Sequence, residues 1–165
     1  MTGAARIRPA GPDDAAAIAA AHCLAWRETY RGMLPDAMVD GLGPHAPDQV
    51  FIAEDSAGTA LGFASGKPSD EAADPDAGLL DTLYLVKAGQ GLGLGRRLLY
   101  TVADMLDTAG YSRMLVVVHA ENPAARFYAA MGAARLLERE RMFRGHLCPE
   151  ILWSWALPLA PPEAP

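Results

Sequence analysis

The sequence predicts an α/β fold of the α+β type, and three observations carry that prediction. Short apolar runs such as Met114-Leu115-Val116-Val117-Val118 recur between segments of helical periodicity. Three of those helical segments stop at a glycine, at Gly32, Gly110 and Gly132. A glycine-rich turn, Gln90–Gly95, leads from a strand straight into a helix.

Taken in chain order, Ala5-Arg6-Ile7-Arg8-Pro9 reads as a first strand. Gly11-Pro12-Asp13-Asp14 opens a helix to about Tyr30, because Pro and Asp suit a first turn. Ile18, Ala21, Ala25 and Thr29 line one face of it, with Trp26 and Tyr30 offset by one. Leu34–Leu42 reads as a second, short helix, broken by Gly43-Pro44-His45-Ala46-Pro47. Val50–Glu54 and Ala60–Ala64 flank Asp55-Ser56-Ala57-Gly58 as a hairpin. Residues 68 to 78 are a Pro/Asp/Ala-rich loop, and Leu79–Val86 is the fourth strand. A helix from about Gly93 to Ala109 carries the stripe Leu94, Leu98, Val102, Met105 and Ala109. Met114–Val118 reads as a buried fifth strand, and Asn122-Pro123 starts a helix that Gly132 ends. Arg135–Phe143 and Glu150–Leu157 complete the strands. Residues 1–157 are thus expected to form a single domain, and the proline-rich tail 158–165 is expected to be mobile.

At 165 residues, 51% hydrophobic and 21% charged, the chain has the composition of a globular protein. A net charge of −6 argues against nucleic acid or an anionic membrane as the main partner, and it is compatible with a cationic substrate. The first residues hold no apolar run of signal-peptide length, and no window reaches the ~18 apolar residues of a membrane span. Cys23 and Cys148 lack CxxC spacing and are read as reduced thiols of a cytoplasmic protein. The four histidines show no ligand spacing, so no metal site is expected.

The informative stretch is Leu83-Tyr84-Leu85 followed by Gln90-Gly91-Leu92-Gly93-Leu94-Gly95-Arg96-Arg97. Glycines let backbone approach a ligand with its N–H groups turned inward, and a helix N-terminus adds partial positive charge. Together they suit a pyrophosphate, with Arg96 and Arg97 adding charge. The dinucleotide pattern GxGxxG fails, because Arg96 stands where its third glycine belongs. The phosphate loop GxxxxGK[ST] fails for want of a Lys-Ser or Lys-Thr pair. The bland alternative is a flexible turn ahead of a core helix.

These residues resemble the GNAT superfamily of acyl-CoA-dependent N-acetyltransferases. Gln90–Gly95 matches that family's [RQ]-x-x-G-x-[GA] loop, and Leu83-Tyr84-Leu85 is similar to its "LYV" strand. Asn122 through Phe127-Tyr128 to Gly132 resembles its Asn–Phe-Tyr–Gly helix, and Trp26–Gly32 with Pro35 resembles the first-helix region of one bacterial branch. The likeness runs from about residue 6 to 157, in the family's order. It implies a mixed, mostly antiparallel twisted sheet with helices on both faces and a splay between strands 4 and 5. It also implies acetyl-CoA as co-substrate, held by the backbone near Leu83 and Leu85, by Gln90, Gly91, Leu92, Gly93, Leu94, Gly95 and Arg96, and by Asn122. Tyr128 would lie near the thioester sulfur as general acid, and a primary amine of a small molecule or peptide would attack directly in a ternary complex.

The chain departs from the family at three places. Leu79 stands where a glutamate base is common, Ala133 follows Gly132 where Phe is common, and the stretch before Val50 is short. The base is therefore sought elsewhere. Asp81 lies two residues past Leu79 on the same strand face and is the candidate acting through a water, with a solvated or structurally paired carboxylate as the alternative. Glu121 and His119 are second-choice bases. Asn122 also serves as a helix cap, Tyr128 as a core aromatic, and Trp26 and Tyr30 as core or pocket floor. Trp153 and Trp155 share one side of the last strand, as a core layer or a dimer surface, so a homodimer is left open. A different acyl-CoA donor, or a non-catalytic acyl-CoA-binding module, are the rival functions.

Overall fold

The computed structural model describes residues 4–40 and 49–160. Among them are seven strands and four α-helices: β1 (Arg6–Pro9), α1 (Ala15–Tyr30), α2 (Asp36–Asp40), β2 (Val50–Glu54), β3 (Ala60–Pro68), β4 (Gly78–Leu85), α3 (Leu94–Thr108), β5 (Arg113–His119), α4 (Ala124–Ala130), β6 (Ala134–Phe143) and β7 (His146–Ala156). The hydrogen-bonded strand order is β1-β2-β3-β4-β5-β7-β6. The β1–β2, β2–β3, β5–β7 and β6–β7 pairs are antiparallel, and β4–β5 is parallel. That parallel ladder holds only Gly78↔Met114 and Leu79↔Leu115, although both strands run on, which is the expected splay. The predicted break at 43–47 and the last residues of the tail lie outside the described residues.

The chain divides into two compact units. The first comprises Met1–Lys67 with Leu80–Val102. Its core packs Ile18, Ala21 and Ala25 of α1 onto Ile52, Phe63 and Val86, with Tyr84 half-buried against them. A fully buried side chain such as Phe63 contributes about 1.5–3 kcal/mol. The β2–β3 hairpin closes because the Asp55 carboxylate accepts the N–H groups of Ala57 and Thr59, both at 2.9 Å. Arg8 joins β1 to Asp14 (2.7 and 2.8 Å) and to the buried Glu54 (3.0 Å), which Arg6 also meets.

The second unit comprises Pro68–Leu79 with Ala103–Pro165. One core cluster gathers Ala77, Leu79, Leu115 and Leu152, with Val117 and Leu137 against it. The α4 helix docks by setting Tyr128 edge-on to Trp155, ring centres 5.8 Å apart, and the Trp155 indole N–H donates to the Met131 carbonyl at 2.9 Å. Trp155 is therefore core, whereas Trp153 is half-buried. Arg139 grips Glu71 with two bonds (2.7 and 3.0 Å) and reaches Glu150, so the loop ahead of β4 is pinned to β6 and β7.

Two expectations shift in detail. The buried arc of α3 is Leu94, Leu98, Leu99, Val102, Ala103 and Leu106, a broader face than the predicted stripe. Met105 sits at its edge, and Ala109 is exposed beyond the last turn. On α1, His22 joins Ile18, Ala21 and Ala25 in the interior, and Thr29 is only half-buried.

Candidate active site

The glycine turn is held from several sides within the first unit. The Val86 N–H donates to the Leu61 carbonyl (3.0 Å), and the Glu28 carboxylate of α1 accepts the Lys87 N–H (3.0 Å). Lys87–Gly89 form a single 3₁₀ turn, and the Gln90 side chain donates back to the Leu85 carbonyl at 3.2 Å. Residues Gln90 to Gly93 then make the turn, and Leu94, Gly95 and Arg96 begin α3.

Gly91 and Gly93 have φ of 73° and 74°, the left-handed region that glycine enters without strain. A Cβ built on either would meet nothing within 4 Å, so backbone conformation, not crowding by the protein, asks for glycine there. The α3 ladder starts with the Arg97 N–H donating to the Gly93 carbonyl (3.1 Å). The N–H groups of Leu94, Gly95 and Arg96 are thus the unpaired first-turn donors. Leu92 is 61% exposed and Arg96 is exposed, while Arg97 is turned to the Ala5 carbonyl (2.9 Å). A polyanion such as a pyrophosphate fits this surface of open backbone, free N–H groups and one uncommitted guanidinium.

Leu83 and Leu85 are half-buried on β4, beyond the last residue of that strand that pairs with β5. Asp81 is also half-buried and is ion-paired with Lys67 of β3, Nζ to carboxylate 3.0 Å. Next to it, the Ser65 and Thr82 hydroxyls are 2.6 Å apart. Lys67 was missing from the sequence reading because β3 was ended at Ala64. His22, Trp26, Phe63 and Tyr84 form an aromatic cluster, with Tyr84 centred 4.8 Å from His22 and 5.7 Å from Phe63. Trp26 and Tyr30 stack at 4.3 Å, both half-buried.

In the second unit Asn122 is buried, its side-chain oxygen accepting the Ala124 N–H (2.9 Å) and its carbonyl the Ala125 N–H (3.0 Å). These bonds launch α4, so the capping role is present. Tyr128 is 4% exposed on α4, and Phe127 beside it is half-buried. His119 is buried at the end of β5, its Nδ1 accepting the Glu121 N–H at 3.2 Å, and Glu121 is exposed. Burial also raises the Cys148 thiol above its ordinary range, which keeps it inert.

Among the described residues no group of His, Cys, Asp and Glu has the arrangement of a metal site, and no helix is long and apolar enough to cross a membrane. The fold and the glycine turn are those of an acetyltransferase. The chain belongs to the acetyltransferase (GNAT) family, whose sequence profile matches residues 18–133. It is 31% identical over 158 residues to the uncharacterized N-acetyltransferase YuaI of Bacillus subtilis, covering 90% of this chain and 91% of that one. YncA of Salmonella typhimurium, solved with its cofactor acetyl-CoA, has the same fold at a TM-score of 0.70 and 22% identity, over 99% of this chain and 98% of that chain. A GCN5-related N-acetyltransferase from Rhodopseudomonas palustris superposes at 0.72 with 20% identity, over 95% and 98%.

Proposed function

We propose that this protein transfers an acetyl group from acetyl-CoA to a primary amine of a small molecule or peptide by direct attack in a ternary complex. The observation that carries the reading is the turn of Gly91 and Gly93, with left-handed backbone opening onto the unpaired first-turn N–H groups of α3. Gln90, Gly91, Leu92, Gly93, Leu94 and Gly95 would cradle the pyrophosphate with Arg96 alongside. The backbone of Leu83 and Leu85 would hold the pantetheine arm as an added strand does, and Asn122 would lie beside it. Acetyl-CoA supplies the thioester carbonyl that a neutral amine attacks.

Tyr128 would give its phenolic proton, or a hydrogen bond, to the departing sulfur. Asp81 would attract the cationic acceptor and draw off its proton through a water. Its pairing with Lys67 supports a carboxylate kept oriented at rest. One observation favours a second reading, a non-catalytic acyl-CoA-binding module: Leu79 occupies the position where a glutamate is common and packs in the apolar cluster. A thiol-release assay with acetyl-CoA, and with propionyl- and succinyl-CoA for donor choice, against a broad amine library decides between them. Release with at least one amine supports the enzyme, and binding of acetyl-CoA without release from any amine supports the module.

A further inference from the structure

His119 closes β5, and its ring is 9% exposed. Its backbone carbonyl accepts the Asn122 N–H at 2.9 Å, so the imidazole is fixed in the same turn that launches α4. A backbone N–H can only donate, so the 3.2 Å bond from Glu121 makes Nδ1 an acceptor that carries no proton. The neutral ring then carries its proton on Nε2. No protein group among the described residues takes that N–H. The residue opposite on β7, Glu150, has its carboxylate held by Arg139 (3.3 Å) and Arg141 (3.2 Å), and Arg139 is itself shared with Glu71. Glu121, the remaining charge in the turn, is exposed. A nine-tenths buried ring with one lone pair spent is poorly arranged as a base: accepting a proton at Nδ1 would cost the Glu121 bond. It is well arranged as a fixed donor.

We propose that the Nε2–H of His119 is a specificity-determining donor that binds a carbonyl or carboxylate oxygen of the amine substrate. The inference rests on the acetyltransferase reading above and narrows its acceptors to amines that carry such an oxygen. Neither Tyr128 nor Asp81 could supply this contact while doing the work assigned to it.

The test uses matched amines, phenylalanine amide and phenylalanine against phenethylamine, with the full-length protein and acetyl-CoA. His119→Asn keeps an oxygen near the Nδ1 position for the Glu121 N–H and removes the Nε2 donor. His119→Gln restores an N–H at the longer reach. The wild type should favour an oxygen-bearing member about tenfold in kcat/KM. His119→Asn should abolish that preference through KM for the amine, with kcat, KM for acetyl-CoA and Tm unchanged, and His119→Gln should recover most of it. An unchanged preference in His119→Asn overturns the proposal. A rise confined to KM for acetyl-CoA assigns the oxygen to the acyl donor instead, and loss of a limb of the pH–rate profile makes His119 a base; either overturns it. Should the wild type release thiol with no amine, the parent reading fails on its own. Calorimetry of phenylalanine amide binding to the CoA-saturated protein then reads the same contact without turnover. Weaker binding in His119→Asn supports the donor, and equal or absent binding in both proteins overturns it.

Discussion

Gly93→Ala separates the conformational demand of the turn from its proposed work. At φ of 74° an added methyl group meets nothing within 4 Å, so no clash contributes and the cost is the left-handed backbone alone. For a residue with a Cβ that cost is roughly 1–2 kcal/mol. In a chain of this size each kcal/mol moves Tm by about 2–4 °C, so the ligand-free variant should melt roughly 2–8 °C lower. Differential scanning fluorimetry measures this directly, and the same scan with acetyl-CoA reads binding. If the turn cradles the pyrophosphate, the stabilising shift seen in the wild type should shrink or vanish, while NAD and ATP shift neither protein. Gly110→Ala is the control. It has the same kind of backbone (φ 94°) and open space just past the other end of α3, so it should lose similar stability and keep the acetyl-CoA shift. A ligand-free Tm of Gly93→Ala at or above the wild-type value would refute the strain argument. A full acetyl-CoA shift in Gly93→Ala would refute the assignment of the turn.

Three further outcomes follow. Tyr128→Phe keeps the ring on Trp155 and should lower kcat about tenfold or more, about 1.4 kcal/mol, with acetyl-CoA binding little changed; wild-type turnover would assign the residue to packing. Asp81→Asn should depress kcat/KM most at lower pH, where an amine of ordinary pKa near 10 is almost wholly protonated, and a profile overlaying the wild type would rule Asp81 out. For stability, the Arg8 guanidinium is the main cause that holds the Asp14 and Glu54 carboxyls below their ordinary range. Groups lowered in the folded state stabilise fully above the unfolded values near pH 4 and lose that contribution as pH falls further. Wild-type Tm should therefore drop below about pH 4, and Arg8→Met should show a shallower drop from a lower neutral value; parallel curves would contradict this.

The elements were legible where the physics is local. The hairpin at Asp55, the glycine stops and the turn at 90–95 all depend on residues within a few positions of one another, and each lies where the letters put it. Strand lengths were misjudged where distant partners decide them. The letters Ser65-Gly66-Lys67-Pro68 look like a turn, yet β3 runs through them alongside β4, with Ser65 against Thr82. Pro149 led the reading to start β7 at Glu150, but the strand begins at His146. The reason is directional. The Pro149 carbonyl points toward β5 and accepts the Ala120 N–H just past that strand's end. Its missing N–H would have pointed the same way, so no bond to β6 is lost. The alternation of Arg139 and Arg141 was visible, but Glu71, 68 positions from Arg139, could not be read as their partner.

The same distinction explains why proton removal is the least legible part of the chemistry. A sequence comparison sees only that Leu79 replaces a carboxylate, and it suggests a lost base. In the fold Leu79 is 6% exposed among Ala77, Leu115 and Leu152, so its side chain completes an apolar cluster. A carboxylate in that setting would be stripped of water without a hydrogen-bond partner, an arrangement that favours the neutral acid over the base. Asp81 stands differently: its side chain is 21% exposed, and Lys67 is 3.0 Å away to balance its charge. A group that must take a proton through a water and give it back to solvent needs that access. The two positions are two residues apart in sequence, yet one has been committed to packing and the other kept wet and ionised. The substitution at 79 therefore reads as a change in where the proton goes, and Asp81→Asn is the variant that tests it.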